Sequence, residues 1–444
     1  MSKNHRLRFM GLLVSVLTLL SLSFVRAQDS LESQPLLKML ANIPNTSQSR
    51  TEIYFNDRKA VEAAYPPAKV PKDWAEFKAM SDAKGKNADL LPVDMWWRVW
   101  RNQQSALTAR YMMTSEATPS LVGFDYFQIE QEMTYGTPPA QTLQLAGHFN
   151  LDMVRAAFSL RGYTRQDKDG VEMWCPADGC ESGSKLNMAD RNPANPFGGE
   201  LGRSQPLIIK DGTLISSPNE MVMQKHIDLA AGSEGSLADL PQYRAVVDAF
   251  TSDGSLMQAY FWDGELIAQM SVLSPASVLL GEKATPELVK KYFQDMLKDY
   301  KPIPAYQLLA FADVASDSEQ LGEVALVYDT EADAKTAAEA LPSRINDYVS
   351  IAIKQPFTKM LKDRRVDEPK IDIVSSNGKY VVVIKLATRK ATSEEIQQFN
   401  VTNSNTPDVT APGLIYRLLV NAALQRDLGW LSTVSLADIE AAAK

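Results

Sequence analysis

Residues 171–183, VEMWCPADGCESG, contain the only two cysteines of the 444-residue sequence. A Cys-x4-Cys pair could clip a metal, shuttle electrons or close a staple. A metal site needs four ligands, and beyond an N-terminal His5 the chain adds only His148 and His226, neither at a local ligand spacing. The dithiol redox motif has two intervening residues, not four. Pro176 and the Asp178-Gly179 pair favour a tight turn that would bring the sulfurs together. A structural disulfide between Cys175 and Cys180 is therefore expected, provided that the chain reaches an oxidising compartment.

Other chemistry finds little support. The sequence has no His-Glu-x-x-His run, no Gly-x4-Gly-Lys-Ser/Thr loop and no Gly-x-Ser-x-Gly elbow. Zinc, iron and dinucleotide cofactors are not expected, and no catalytic, metal or cofactor-binding residues are assigned. Ser182-Gly-Ser-Lys185 has the spacing at which a lysine activates a serine, but it stands in a polar loop. Asp167-Lys-Asp169-Gly170 opens like a calcium loop, yet its spacing suits a hairpin corner better. Carboxylate pairs able to hydrolyse a substrate without a metal remain an alternative reading, because 54 acidic residues supply many pairs. In DMWWRVWRNQQSALTARYM (94–112), Trp96, Trp100, Leu107 and Tyr111 make a core stripe at helical spacing. Trp97 falls off that stripe and is a candidate aromatic for touching a glycan or a protein partner. Asn45-Thr-Ser and Asn400-Val-Thr fit the glycosylation sequon, which matters only in a eukaryotic secretory route.

The address is more explicit. Lys3, Arg6 and Arg8 precede an uncharged apolar run from Phe9 to Val25, and Val25-Arg26-Ala27 offers small residues at the −3 and −1 positions. That layout is a secretory signal peptide over residues 1–27, cleaved after Ala27. The rival is an anchor retained at residues 9–25, which at 17 residues is short against the roughly 20 that a bilayer needs. The chain is thus expected to be exported to a periplasmic, extracellular or cell-surface location. Cleavage would change 46 basic against 54 acidic groups to 42 against 54, a net charge of −12. So acidic a chain repels phosphate backbones, and its densest basic cluster, Lys359 to Arg365, is interrupted by Asp363. Nucleic acid is not an expected partner.

The elements that would position any site read as α+β. A short helix at residues 31–41 and a linker to residue 49 precede the strand RTEIYF, and Asn56 is the expected cap of a helix with Ala60, Val61 and Ala64 inward. Residues 124–135 and 141–149 read as strands around Gly136-Thr-Pro-Pro139, followed by a helix that Asn150 caps and Gly162 stops. Asp169-Gly170 and Asp211-Gly212 mark hairpins, and helices are expected at 219–231 and 239–250 before the strand LMQAYFW. A like order recurs: strands AYQLLAFADV and GEVALVYD, a helix capped by Thr330 with Ala334, Ala337, Ala338 and Leu341 inward, and a hairpin at Asn377-Gly378. The two helix caps stand 180 positions apart. We read two related modules of antiparallel sheet with helices on one face, spanning 50–300 (with insertions) and 301–412, then C-terminal helices at 413–444.

Residues 120–175, including GFDYFQIEQEMTYGTPPAQTLQLAGHFNLDMVRAAFSLRGY, resemble exported bacterial proteins that have no assigned activity. In that pattern an apolar strand, a Pro-Pro turn, a strand ending Gly-x-Phe and a helix closing in Gly-Tyr follow one another. The resemblance implies an envelope protein and carries over no site residue. A non-enzymatic binding or scaffolding role at the cell envelope, with an envelope protein or glycan as partner, is the leading expectation.

The short Cys175–Cys180 ring has a modest loop-closure value, so the Cys175→Ala/Cys180→Ala variant should lose about 2 kcal/mol and still fold. Thermal denaturation should show a melting point a few degrees lower. A double variant unable to fold would mean that the staple organises far more than its own loop.

Overall fold

The computed structural model describes residues 34–66, 70–82, 116–263, 285, 287–288, 291, 301–398 and 411–433. The apolar run at 9–25, the aromatic cluster at 94–112 with Trp97, and Asn400 lie outside the described residues.

Helix α1 (Pro35–Leu40) leads to strand β1 (Glu52–Asp57) and helix α2 (Arg58–Ala64). After α3 (Trp74–Asp82) and α4 (Thr118–Val122) come β2 (Ile129–Tyr135), β3 (Thr142–Gly147) and α5 (Leu151–Leu160). Hairpins β4 (Thr164–Lys168)–β5 (Val171–Cys175) and β6 (Leu207–Lys210)–β7 (Thr213–Ser216) follow, then α6 (Glu220–Ala230), α7 (Pro241–Thr251) and β8 (Ser255–Asp263). The second half holds β9 (Leu308–Ala315), β10 (Glu319–Tyr328), α8 (Glu331–Asp347), α9 (Phe357–Lys362), β11 (Lys370–Ser376) and β12 (Lys379–Arg389). Helices α10 (Ser393–Gln398) and α11 (Leu414–Leu424) complete it. Among the described residues no helix is long and apolar enough to cross a membrane.

All twelve strands join one sheet in the order β11-β12-β10-β9-β8-β1-β2-β3-β7-β6-β5-β4, and every described pairing is antiparallel. The order reads alike in both directions from the β1–β8 junction. Outward on one side stand β2, β3, β7 and β6; on the other stand β9, β10, β12 and β11. Helices α5 and α8 each follow the second strand of their series, and both lie on the same face of the sheet. The recurrent order of strands, helix and hairpin shows in the sheet, where β6–β7 takes the place that β11–β12 has on the other side and β4–β5 is an addition at the edge.

The turn chemistry explains why these hairpins form. Asp169-Gly170, Asp211-Gly212 and Asn377-Gly378 all have positive φ at both residues, as a two-residue hairpin turn of the twisted kind requires. Asn150 caps α5 by accepting from Asp152 N and Met153 N, and Thr330 caps α8 by accepting from Asp333 N. At α2 the cap is Asp57, which accepts from Ala60 N, and not Asn56. Asn56 is a residue of β1, paired with Glu132 and Gln258, so its backbone belongs to the ladder.

The repeated helices α5 and α8 share one face as expected, and further helices cover the other. On the first face α8 and α11 lie over Phe311, Val324 and Ile384, while Val154 and Phe158 of α5 lie over Leu145 and Leu214. On the opposite face α1 and α7 pack on Phe55, Phe261 and Val383, and α6 packs on Ile208 and Ile215. Strands such as LLAFADVA are buried at every residue, so both sides must be covered. Helix α11 approaches so closely that a Cβ on Gly322 of β10 would stand 2.5 Å from Ile415 Cγ2.

Among the acidic and basic side chains buried in this packing, Glu323 has the least exposure of the described residues. Glu323 of β10 is fully buried on the α7 face, near Asp253 and Lys385; Lys385 Nζ reaches Asp253 at 2.7 Å and Asp372 at 3.0 Å. Burial, with the negative charge of Asp253 adding to it, pushes the Glu323 carboxyl up to about 9. The folded chain then holds a proton there that the unfolded chain loses above 4.5. Stability from this group is intact at acid pH and declines as pH rises across that window. Glu323→Gln should become more stable relative to the parent by about 1–3 kcal/mol between about pH 5 and pH 8. Urea unfolding at both pH values measures it; a difference unchanged by pH would show that Glu323 is ionised in the folded state.

Candidate functional site: a twin cleft beside the disulfide

Two loops and a helix start converge at one end of the first half. The β2–β3 turn begins at Gly136 (φ 79), whose N–H donates to Glu52 O at 2.9 Å, and contains a cis Pro138–Pro139 bond. The second loop is the long connection between β5 and β6. It contains 3-10 turns at Cys180–Ser184, Met188–Asp190 and Gly199–Leu201. The third component is the first turn of α6, where Asn219 Oδ1 accepts from Met221 N at 2.9 Å.

The long connection has no sheet ladder, so other bonds fix it. Cys175 and Cys180 form the expected disulfide, with Cα atoms 4.8 Å apart, and Gly179 N donates to Pro176 O to close the anticipated turn. Asn192 N donates to Gly199 O at 2.8 Å, and Thr118 Oγ1 donates to Ala194 O at 2.9 Å. Phe197 is buried against Phe124 and Phe158, and Tyr163 Oη donates to Gln205 O. The loop is a fixed wall.

Between these parts lie two adjoining clefts of about 540 Å³ and 390 Å³. Pro139 and Arg203 line both, and Arg203 Nη1 donates to Pro139 O at 3.1 Å, so this pair is the ridge between them. The Arg203 Nε is buried without a hydrogen-bond partner among the described residues. The larger cleft adds Ala140, Pro218 and Met221 to the carboxylates Glu181 and Glu220. The smaller adds Pro138, Leu143, Pro193, Pro196 and Leu201 over a polar floor that includes Gln205. The Ser216 hydroxyl donates to Pro206 O at 2.8 Å and stands 3.2 Å from Gln205 Oε1, which holds the Gln205 amide at the cleft floor.

The wall behind the larger cleft is apolar. Met223 and Ile227 of α6 pack on Cys175, Cys180, Ile208 and Ile215. His226 stands on the same helix, buried, bonded to the Tyr135 hydroxyl and to the backbone of Asn42. It ties α6 to β2 and to the segment after α1.

The sequence-based candidates fall unevenly on this geometry. The cysteines line neither cleft, although Cys180 directly precedes Glu181, which lines the larger one; Trp174 beside them is buried, its indole donating to Glu172 Oε1. Lys185 is exposed, and Ser182 lies in the 3-10 turn after the disulfide. Asp169 and Gly170 form the β4–β5 corner. Among the described residues no group of three or more His, Cys, Asp or Glu is placed to hold a metal ion. Glu323 and its half-buried neighbour Asp253 line neither cleft. Arg203, Gln205 and the proline walls escaped sequence reasoning; a concentration of prolines at 138–139, 193, 196 and 218 was the available signal.

Burial pushes the His226 imidazole down to about 3. The unfolded ring takes a proton below 6.5 and the folded ring does not, so this group's contribution is lost as pH falls from 6.5 toward about 3. His226→Gln should be less stable than the parent near neutrality, and the gap should narrow by about 2 kcal/mol between about pH 7 and pH 4. Urea midpoints across that range measure it, and a gap independent of pH would contradict the buried neutral ring.

No protein-family model matches the chain, and no curated protein matches it. Solved structures described as crystal forms of TP0453 are similar to parts of it at low superposition. Crystal form III gives a TM-score of 0.29 at 9% identity, covering 80% of this chain and 95% of that one. Crystal form I gives 0.30 at 7%, covering 80% and 94%, and form IV gives 0.26 at 8%, covering 78% and 92%.

Proposed function

We propose that this chain is an exported protein of the cell envelope that binds a partner in the twin cleft and catalyses no reaction. The observation that carries the reading is the Cys175–Cys180 disulfide, which is buried against α6 next to the loop that supplies Glu181 to the larger cleft. A buried bond of this kind suits an oxidising compartment, and the secretory layout of residues 1–27 provides the route there. The resemblance of residues 120–175 to exported bacterial proteins supports the same address. The clefts support binding because they combine fixed apolar walls with a few polar groups, one of them an arginine that is only partly satisfied. Glu323, whose carboxyl burial holds protonated, lies under α7 and lines neither cleft, so it is not placed to act on a molecule bound there.

Expression in an exporting host tests the address. Intact mass should give a chain beginning at Gln28, and thiol alkylation of the unfolded, unreduced protein should find no free thiol. A chain that keeps residues 1–27 and presents two free thiols would overturn the reading.

A further inference from the structure

We infer that the twin cleft takes an extended peptide segment with an apolar side chain and a basic side chain two positions apart, a reading that rests on the cleft being the binding site. The two clefts are separated only by the Pro139–Arg203 pair. In an extended chain alternate side chains point the same way about 7 Å apart, so residues i and i+2 can enter neighbouring clefts across a thin ridge. The residue between them turns its side chain outward. Its N–H and C=O point sideways, at right angles to the side chains, so the Arg203 guanidinium, whose Nη1 donates to Pro139 O, can meet a strand carbonyl from the flank of the ridge.

The linings differ in a way that assigns the side chains. Pro138, Leu143, Pro193, Pro196 and Leu201 suit the 390 Å³ cleft to a Leu-, Met- or Phe-like group, and the carboxylate that also lines it, Glu200, is already engaged by the Arg191 guanidinium. The 540 Å³ cleft has an apolar track, Ala140, Pro218 and Met221, and two carboxylates, Glu181 and Glu220. Among the described residues Glu220 pairs only with Lys168, at 3.7 Å. That arrangement suits a lysine or arginine, whose methylene stem lies on apolar surface while the cation reaches the acids. Met221 is 75% exposed and Leu201 43% exposed, so apolar contacts at both mouths await cover. The net charge, −8 for the full sequence and −12 after cleavage at Ala27, also draws a basic partner and repels an acidic one.

Titration calorimetry with two capped pentapeptides, acetyl-Gly-Leu-Gly-Arg-Gly-amide and its counterpart with glutamate in place of arginine, tests this in both residue orders. The arginine peptide should bind in one order, with the glutamate peptide on the order of tenfold weaker. Glu181→Gln/Glu220→Gln should abolish that preference, and Arg203→Met should weaken the parent peptide while circular dichroism shows an unchanged fold. Equal or tighter binding of the glutamate peptide, a preference that survives the double substitution, or no binding of either peptide would overturn the inference. In the last case a chain found exported and oxidised keeps the envelope reading, whereas a reduced, unexported chain loses that reading whatever the peptides do.

Discussion

The antiparallel pairing of β1 with β8 is the contact on which the rest of the structure depends. Ile53 stands opposite Phe261, Tyr54 opposite Tyr260 and Phe55 opposite Ala259. The rings of Tyr54 and Tyr260 stack on one face with centroids 4.0 Å apart, while Phe55 and Phe261 enter the core on the other. Both faces are covered, so a one-residue slip would exchange the contents of two packed cores at once. This register joins two strand series that each have their own helix, and it turns them into a single sheet. The apolar character of β8 and β9 on both sides follows from their central place, as does the need for α1 and α7 on the face that α8 and α11 leave open.

The clefts depend on that frame at one remove. Strands β2 and β3 supply the proline turn, β5 delivers Cys175, and β6 receives the chain after Gln205. The intervening connection has no ladder of its own, and it is held by a disulfide, side-chain bonds to the backbone and one buried phenylalanine. Such anchoring fixes a loop without making it regular, which is how a sheet end can offer shaped walls. Helix α6 closes the arrangement by placing its outer first turn on the cleft and its inner face on the disulfide. The same helix is tied to β2 by His226 and Tyr135, so cleft wall and central sheet are mechanically linked.

Much of the fold was legible because the signals were local. Two-residue hairpin corners announce themselves through Asp-Gly and Asn-Gly, and the caps at Asn150 and Thr330 mark helix starts within a residue. The one-residue error at α2 has a physical reason: Asn56 and Asp57 are both good caps, and only the pairing of β1 decides between them. The recurrence of strands and helix was readable from order alone. Which hairpin completes the first series was not, because β4–β5 and β6–β7 carry the same turn chemistry and differ only in their neighbours. The site was the least legible part. Its residues span Thr134 to Gln224, they are short of catalytic types, and Arg203 acquires meaning only when the fold sets it against Pro139. The disulfide was readable because two cysteines have one way to pair.

Native-state hydrogen exchange tests the central claim, that β1 and β8 fuse two strand series into one cooperative sheet. The amides of β1, β8 and β9 should be the slowest to exchange, and the β2–β7 and β9–β12 series should lose protection together with them on global opening. Exchange in which the amides shared by β1 and β8 open first, with the two series keeping separate protection, would contradict it.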